Sequence, residues 1–171
     1  MSVLVVRKDL DLSPGSRAAI LISGGAISAV SAYALGRAVL GVAPTPPEAK
    51  ELAVAIHLAT VLPSLPLGLY LFLTHKGGAH HRLLGRVWMA LMAITAVSAL
   101  FIRHLNDGDL SPVHIASIAT LISIPLAINA ARQGRIAVHR ARILGMFIGA
   151  LLVSGLLSFL PGRIMWLWMF G

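Results

Sequence analysis

Histidine occurs twice in the same setting along this chain. The first setting is His57-Leu58-Ala59-Thr60, then Ser64-Leu65-Pro66-Leu67, then His81-Arg82. The second is His114-Ile115-Ala116-Ser117, then Ser123-Ile124-Pro125-Leu126, then His139-Arg140. His114 follows His57 by 57 residues and His139 follows His81 by 58. Internal repeats decide architecture, so this one is read first. An imidazole can ligate a metal or a haem iron, or carry a proton. Inside a membrane span it is costly unless paired, solvated or ligated. A haem iron held by two imidazoles would satisfy both rings and bring a large apolar macrocycle. One histidine near each face in each copy therefore points to a pair of two-histidine sites, and so to two b haems.

The neighbours of these histidines suit that chemistry. Gly85 lies four residues after His81 and shares its helical face, leaving room for a macrocycle, and Gly68 lies on the face of His57. Thr60 and Ser117 follow the outer histidines by three residues and could accept from the second imidazole nitrogen. Arg82, Arg86, Arg140 and Arg142 could face haem propionates or an anionic electron donor. His80 adjoins His81 and competes with it as ligand, but the repeat aligns His81 with His139. The plainer reading makes the outer histidines interfacial anchors and the inner ones part of a cationic cluster.

The elements that must position these residues are read from hydropathy. The chain has 171 residues, 57% hydrophobic and 12% charged, too little polar surface for a soluble domain of that size. Five apolar runs, each long enough to cross a hydrocarbon core, predict five transmembrane helices. They fall at residues 18–42, 52–74, 83–102, 112–130 and 143–160. Short Gly/Pro-containing connections make sequential spans antiparallel neighbours. The expected fold is an all-α integral membrane protein, a single domain over residues 1–171, with spans 2–5 forming a duplicated antiparallel four-helix bundle. Its helix-pair repeats are residues 52–104 and 111–160. Pro63, Pro66 and Pro125 are expected to kink spans 2 and 4, and Gly145-x-x-x-Gly149 reads as close helix packing.

Charge sets the expected orientation. Arg7, Lys8, Arg17, Lys76, Arg82, Arg86, Arg132, Arg135, Arg140 and Arg142 fall on one side. Arg37, Lys50, Arg103 and Arg163 share the other with Glu48, Glu51, Asp107 and Asp109. The positive-inside rule then puts the N-terminus in the cytoplasm and the C-terminus outside, in a bacterial inner membrane. The polar start through Arg17 and the long run after it read as a retained first span, not a cleaved signal peptide. Trp166-Leu167-Trp168 reads as an aromatic anchor at the outer face. His57 and His114 then open spans from the outer side, and His81 and His139 from the inner side. His75 and His104 read as loop or interface residues.

Several function classes are excluded or disfavoured. The chain has no cysteine, which removes disulfides, thiolate nucleophiles, iron–sulfur clusters and cysteine-type zinc sites. Two histidines per side are too few for a closed zinc site, and no His-Glu-x-x-His stretch occurs. No acid lies deep in a span, which disfavours a carboxylate proton relay or a Ser-His-Asp hydrolase. The net charge of +8 sits in short loops, without a basic stripe and aromatic platforms for nucleic acid.

The residues just named carry a family resemblance. His57, then His81-Arg82-Leu83-Leu84-Gly85-Arg86, then His139-Arg140 resemble the pattern of small bacterial membrane proteins with domain of unknown function 2306, over about residues 50 to 160. That family implies no established activity. In arrangement the chain also resembles cytochrome b561-type proteins, which have one haem-ligating histidine on each of four core helices. That resemblance implies pairing between alternate helices, His57 with His114 and His81 with His139, and transmembrane passage of electrons from a reductant such as quinol. The chain departs from the plan in having five spans instead of six and no donor-site signature. The resulting expectation is a transmembrane di-haem electron-transfer protein, an oxidoreductase or a subunit of one. Quinone, a membrane complex or a second copy are its candidate partners. The alternative is a haem-free accessory subunit of a larger membrane complex.

Overall fold

The computed structural model describes residues 13–103 and 111–171. Arg7 and Lys8, His104 and the turn Asn106-Asp107-Gly108-Asp109 lie outside the described residues. The described chain is helical, with no strand. Five helices are long and apolar enough to cross a membrane: α1 (Pro14–Val39), α2 (Leu52–Leu73), α3 (Ala79–Ala99), α4 (Pro112–Arg132) and α5 (Ile136–Leu157). A 3₁₀ turn, Pro47–Lys50, precedes α2, and a short helix, α6 (Ile164–Phe170), follows α5.

Three helices begin earlier than hydropathy suggests. α1 starts at Pro14 instead of Ala18, α3 at Ala79 instead of Leu83, and α5 at Ile136 instead of Ile143. Hydropathy finds the edge of the apolar run, but a helix continues through charged residues once its backbone bonds are made. His81 and His139 thereby lie within the first turn of their helices.

The turn between α4 and α5 shows how short loops enforce antiparallel packing. Gly134 adopts φ 69°, a left-handed conformation that costs glycine little. The Arg135 N–H then reaches Ala130 O at 2.9 Å and the Gly134 N–H reaches Ala131 O at 3.1 Å. These two bonds satisfy carbonyls that the end of α4 leaves orphaned, and they reverse the chain. α2, α3, α4 and α5 pack in sequence, and α5 closes the ring on α2. α1 lies outside the ring against α2, with α6 across its far end. Arg17 at the start of α1 donates to Leu73 O at the end of α2, 3.4 Å away. At the opposite end Arg37 donates to Met169 O at 2.9 Å and Gly171 O at 2.8 Å.

The core is a slab of large side chains, with Trp88, Phe147, Met92 and Leu151 fully enclosed. Phe72 meets Phe147 edge-on, with centroids 5.0 Å apart. Ile115, Ile118 and Ile122 are exposed along one stripe of α4, as a lipid-facing surface requires. α2 and α4 continue through Pro63, Pro66 and Pro125 as single helices.

Two sequence readings are corrected here. Trp168 is buried, only 4% exposed, in a small core with Ala34, Ala43 and Met165, so it pins α6 to α1 instead of anchoring at an interface. Gly145 and Gly149 do not mediate close packing, because a Cβ at either would meet nothing within 4 Å. That stretch, Met146–Val153, runs as a π-helix, and its glycines face a groove beside α4. Close approach falls at other glycines: a Cβ at Gly68 would lie 2.7 Å from the Phe147 ring and 2.9 Å from Trp88 Nε1, and one at Gly24 2.8 Å from Leu69 Cδ2.

Candidate functional site

The ring places the four histidines on diagonal helices, with α2 opposite α4 and α3 opposite α5. His81 and His139 occupy the arginine-rich end. His139 Nδ1 lies 2.9 Å from Ala127 O, which can only accept, so Nδ1 carries the proton. Nε2 of His139 is then a free lone pair on an oriented ring, the tautomer a metal or haem ligand needs. His81 is half-buried and within electrostatic reach of His139 and Lys76. Its Nδ1 is buried with no hydrogen-bond partner. The free His139 Nε2 and the orphaned His81 Nδ1 are nitrogens with lone-pair or proton capacity to spare, as a ligand to a metal or haem iron requires. His80 is exposed, which favours His81 over it.

Around this pair, Arg82 donates to Gly77 O at 2.7 Å, tying it to the loop before its own helix. Arg86 is exposed and Arg140 half-buried at the same end. Gly85 is half-buried, and a Cβ there would meet nothing within 4 Å, so the space beside it is open. The space beside Gly68 is filled by Phe147 and Trp88, which leaves none there for a cofactor.

His57 and His114, at the end away from the arginine-rich one, differ from each other. His57 donates from Nδ1 to Thr95 O across the α2–α3 contact, at 3.1 Å. Its Nε2 is consequently an acceptor, and the ring lines a large cavity. His114 is 2% exposed, and its Nδ1 lies 3.0 Å from the Ser111 backbone N, a group that can only donate. Nδ1 must therefore hold the lone pair, which puts the proton on Nε2. A nitrogen carrying a proton cannot ligate. That Nε2 is buried without a partner, and His114 does not line the cavity that His57 faces. Two-imidazole ligation by His57 and His114 does not fit this arrangement. The expected acceptors Thr60 and Ser117 are also not used: His57 Nδ1 donates to Thr95 O, and His114 Nε2 has no partner.

Sequence reasoning missed a polar seam between α2 and α3. Thr95 Oγ1 donates to Thr60 Oγ1 at 2.8 Å, Ser64 Oγ to Thr60 O at 2.7 Å, and Trp88 Nε1 to Ser64 O at 2.9 Å. With the His57 bond, it links α2 to α3 from the outer end to the middle of the bundle. Hydroxyls at i, i+4 on α2 were the available signal.

It also missed the cavity itself, about 530 Å³ in volume, partly open and lined by residues of α1 to α6 at the end away from His81 and His139. Its walls are mostly apolar, among them Val54, Leu65, Met92 and Leu151. α6 contributes Ile164, Met165 and Leu167. The volume lies in the range of about 300–1,000 Å³ usual for small-molecule sites. Among the described residues no three histidine or acidic side chains cluster to hold a metal ion.

The family model described as predicted membrane protein, domain of unknown function 2306, matches residues 54–168. The chain belongs to that family. The match runs from the first turn of α2 into α6, so the family unit is the four-helix ring with its terminal helix, and α1 lies outside it. Neither a curated protein nor a solved structure matches the chain. The likeness to cytochrome b561-type proteins therefore rests on the placing of the histidines alone.

Proposed function

We propose that this protein is a b-type membrane electron-transfer subunit that holds haem between His81 and His139. The observation that carries this reading is the His139 Nδ1–H bond to Ala127 O, which leaves a free Nε2 lone pair on α5 at the same end as His81, whose Nδ1 has no hydrogen-bond partner. Haem bound there would supply one-electron redox chemistry. The chain's residues fix the His139 tautomer through Ala127 of α4, and Arg86 and Arg140 at the same end could neutralise anionic propionates. Because His114 is committed to its own helix start, the proposal is for one haem per chain, not two.

The segregation of arginines to the His81–His139 end supports a cytoplasmic reading of that end, with the N-terminus inside and the chain in a bacterial inner membrane. The cationic side chains at that end suit an anionic face of a partner subunit or of a second copy as electron donor. A reduced-minus-oxidised visible spectrum of the detergent-purified protein, with haem quantified per chain, tests this. The expected result is about one two-histidine haem per chain, lost in His81→Ala and His139→Ala and kept in His114→Gln. A folded protein that stays colourless after haem supplementation would overturn it and leave the haem-free accessory subunit as the reading.

A further inference from the structure

Two opposite charges line the cavity at the end away from His81 and His139. Glu48 comes from the 3₁₀ turn before α2, and Arg163 immediately precedes α6, so both lie outside the spans. They are the only Asp, Glu, Lys or Arg side chains lining it among the described residues. Both are half-buried, and neither side chain has a hydrogen bond or an ion pair among the described residues, with the other or with a third group. Half-buried charges left so are costly until something completes them. Within the spans the walls are mostly apolar, and Ser31 of α1 stands among them, only 5% exposed. Ser23 and Ser28 of the same helix donate to the carbonyls four residues earlier, Ala19 O and Gly24 O, each at 2.7 Å. Ser31 makes no such bond among the described residues, so its proton is available to an acceptor in the cavity.

We infer that this cavity is a binding site for a phospholipid with a zwitterionic headgroup of the phosphoethanolamine class. The primary ammonium of such a headgroup donates to the Glu48 carboxylate, and its phosphate accepts from the Arg163 guanidinium. The apolar walls take acyl chain, and Ser31 offers its proton to an ester carbonyl. One ligand thereby completes two opposite charges that do not complete each other. An anionic phospholipid would satisfy Arg163 but bring no cation to Glu48, and an uncharged lipid would leave both charges unmatched, so the pair selects against either. This inference does not rest on haem, since none of the groups in it lies at the His81–His139 end.

The test is native mass spectrometry of the full chain in detergent, titrated with an equimolar mixture of phosphatidylethanolamine and phosphatidylglycerol of the same acyl chains. Haem content is recorded separately. Retention of phosphatidylethanolamine about fivefold over phosphatidylglycerol is expected from one added ion pair. Glu48→Gln should remove that preference, whereas Arg163→Gln should weaken retention of both lipids. Lys50→Gln and Glu51→Gln alter charges of the same turn that do not line the cavity, and both should leave the preference as it is. If Arg163→Gln does not fold, Glu48→Lys decides the same question by shifting the preference to phosphatidylglycerol. Equal retention of the two lipids by the wild type, a preference that survives Glu48→Gln, or one that Glu51→Gln abolishes as well, overturns the inference whether or not haem is present.

Discussion

The backbone N–H of Ser111 donates to Nδ1 of His114 across 3.0 Å, and the Ser111 hydroxyl lies at the same distance. His114 is thus the third residue of α4 folded back on its own helix start, the role that glutamate or glutamine fills in a capping box. The prediction is that His114→Ala lowers stability by about 1 kcal/mol, the usual effect of losing an N-terminal cap. His114→Gln should stay within a few tenths of wild type, because glutamine can reach the same N–H. Thermal unfolding in detergent separates the two variants. Equal loss in both would show that the imidazole does something other than cap.

Gly68 sits where α2, α3 and α5 converge. Adding a methyl there would press on the Phe147 ring and on Trp88 Nε1. Gly68→Ala is expected to cost about 1–3 kcal/mol through overpacking. Gly85→Ala and Gly149→Ala should be close to neutral, since neither would meet an atom within 4 Å. A comparison of unfolding midpoints for the three variants checks this, and a neutral Gly68→Ala would contradict it.

The polar seam predicts a modest and specific loss. Thr95→Val removes the hydroxyl that donates to Thr60 but keeps the carbonyl that accepts from His57. Hydrogen bonds between membrane helices average about 0.6 kcal/mol, with a maximum near about 1.7. Thr95→Val should fall in that range, and adding Thr60→Val should cost less than the sum of the singles, because both changes delete the same bond. Strict additivity would argue against it.

Arg37 holds α6 through the backbone oxygens of Met169 and Gly171. Arg37→Ala should therefore loosen residues 164–170 without unfolding the ring. Hydrogen exchange read by mass spectrometry should show faster exchange confined to α6 and its contact on α1. Unchanged protection in α6 would mean that Trp168 and Met165 suffice to hold it.

The repeat shows where sequence stops being informative. His57 and His114 occupy equivalent places in it, yet one faces a cavity and the other closes a helix. The difference lies in where each helix begins. α4 starts so that Ser111 is the cap three residues before His114, whereas α2 starts at Leu52, Glu51 is its cap, and Val54 stands three residues before His57. His57 is accordingly almost a turn deeper, beyond reach of its own N-terminus and beside Thr95. The spacing Ser111-Pro112-Val113-His114 was the visible clue to capping; the depth of His57 was not visible, since helix boundaries are set by bonds that hydropathy does not report.

Sequence by itself determined that this chain is helical and membrane-embedded, with five spans in antiparallel order and charges sorted to the two ends. Those properties follow from hydropathy, loop length and charge, all of which are local. Tertiary structure alone decided which imidazole nitrogen is free, because that depends on whether a carbonyl or an N–H of another turn or helix stands opposite. It also decided that the end of the bundle away from His81 and His139 holds a cavity, because only the packing of six helices brings its lining residues to one place.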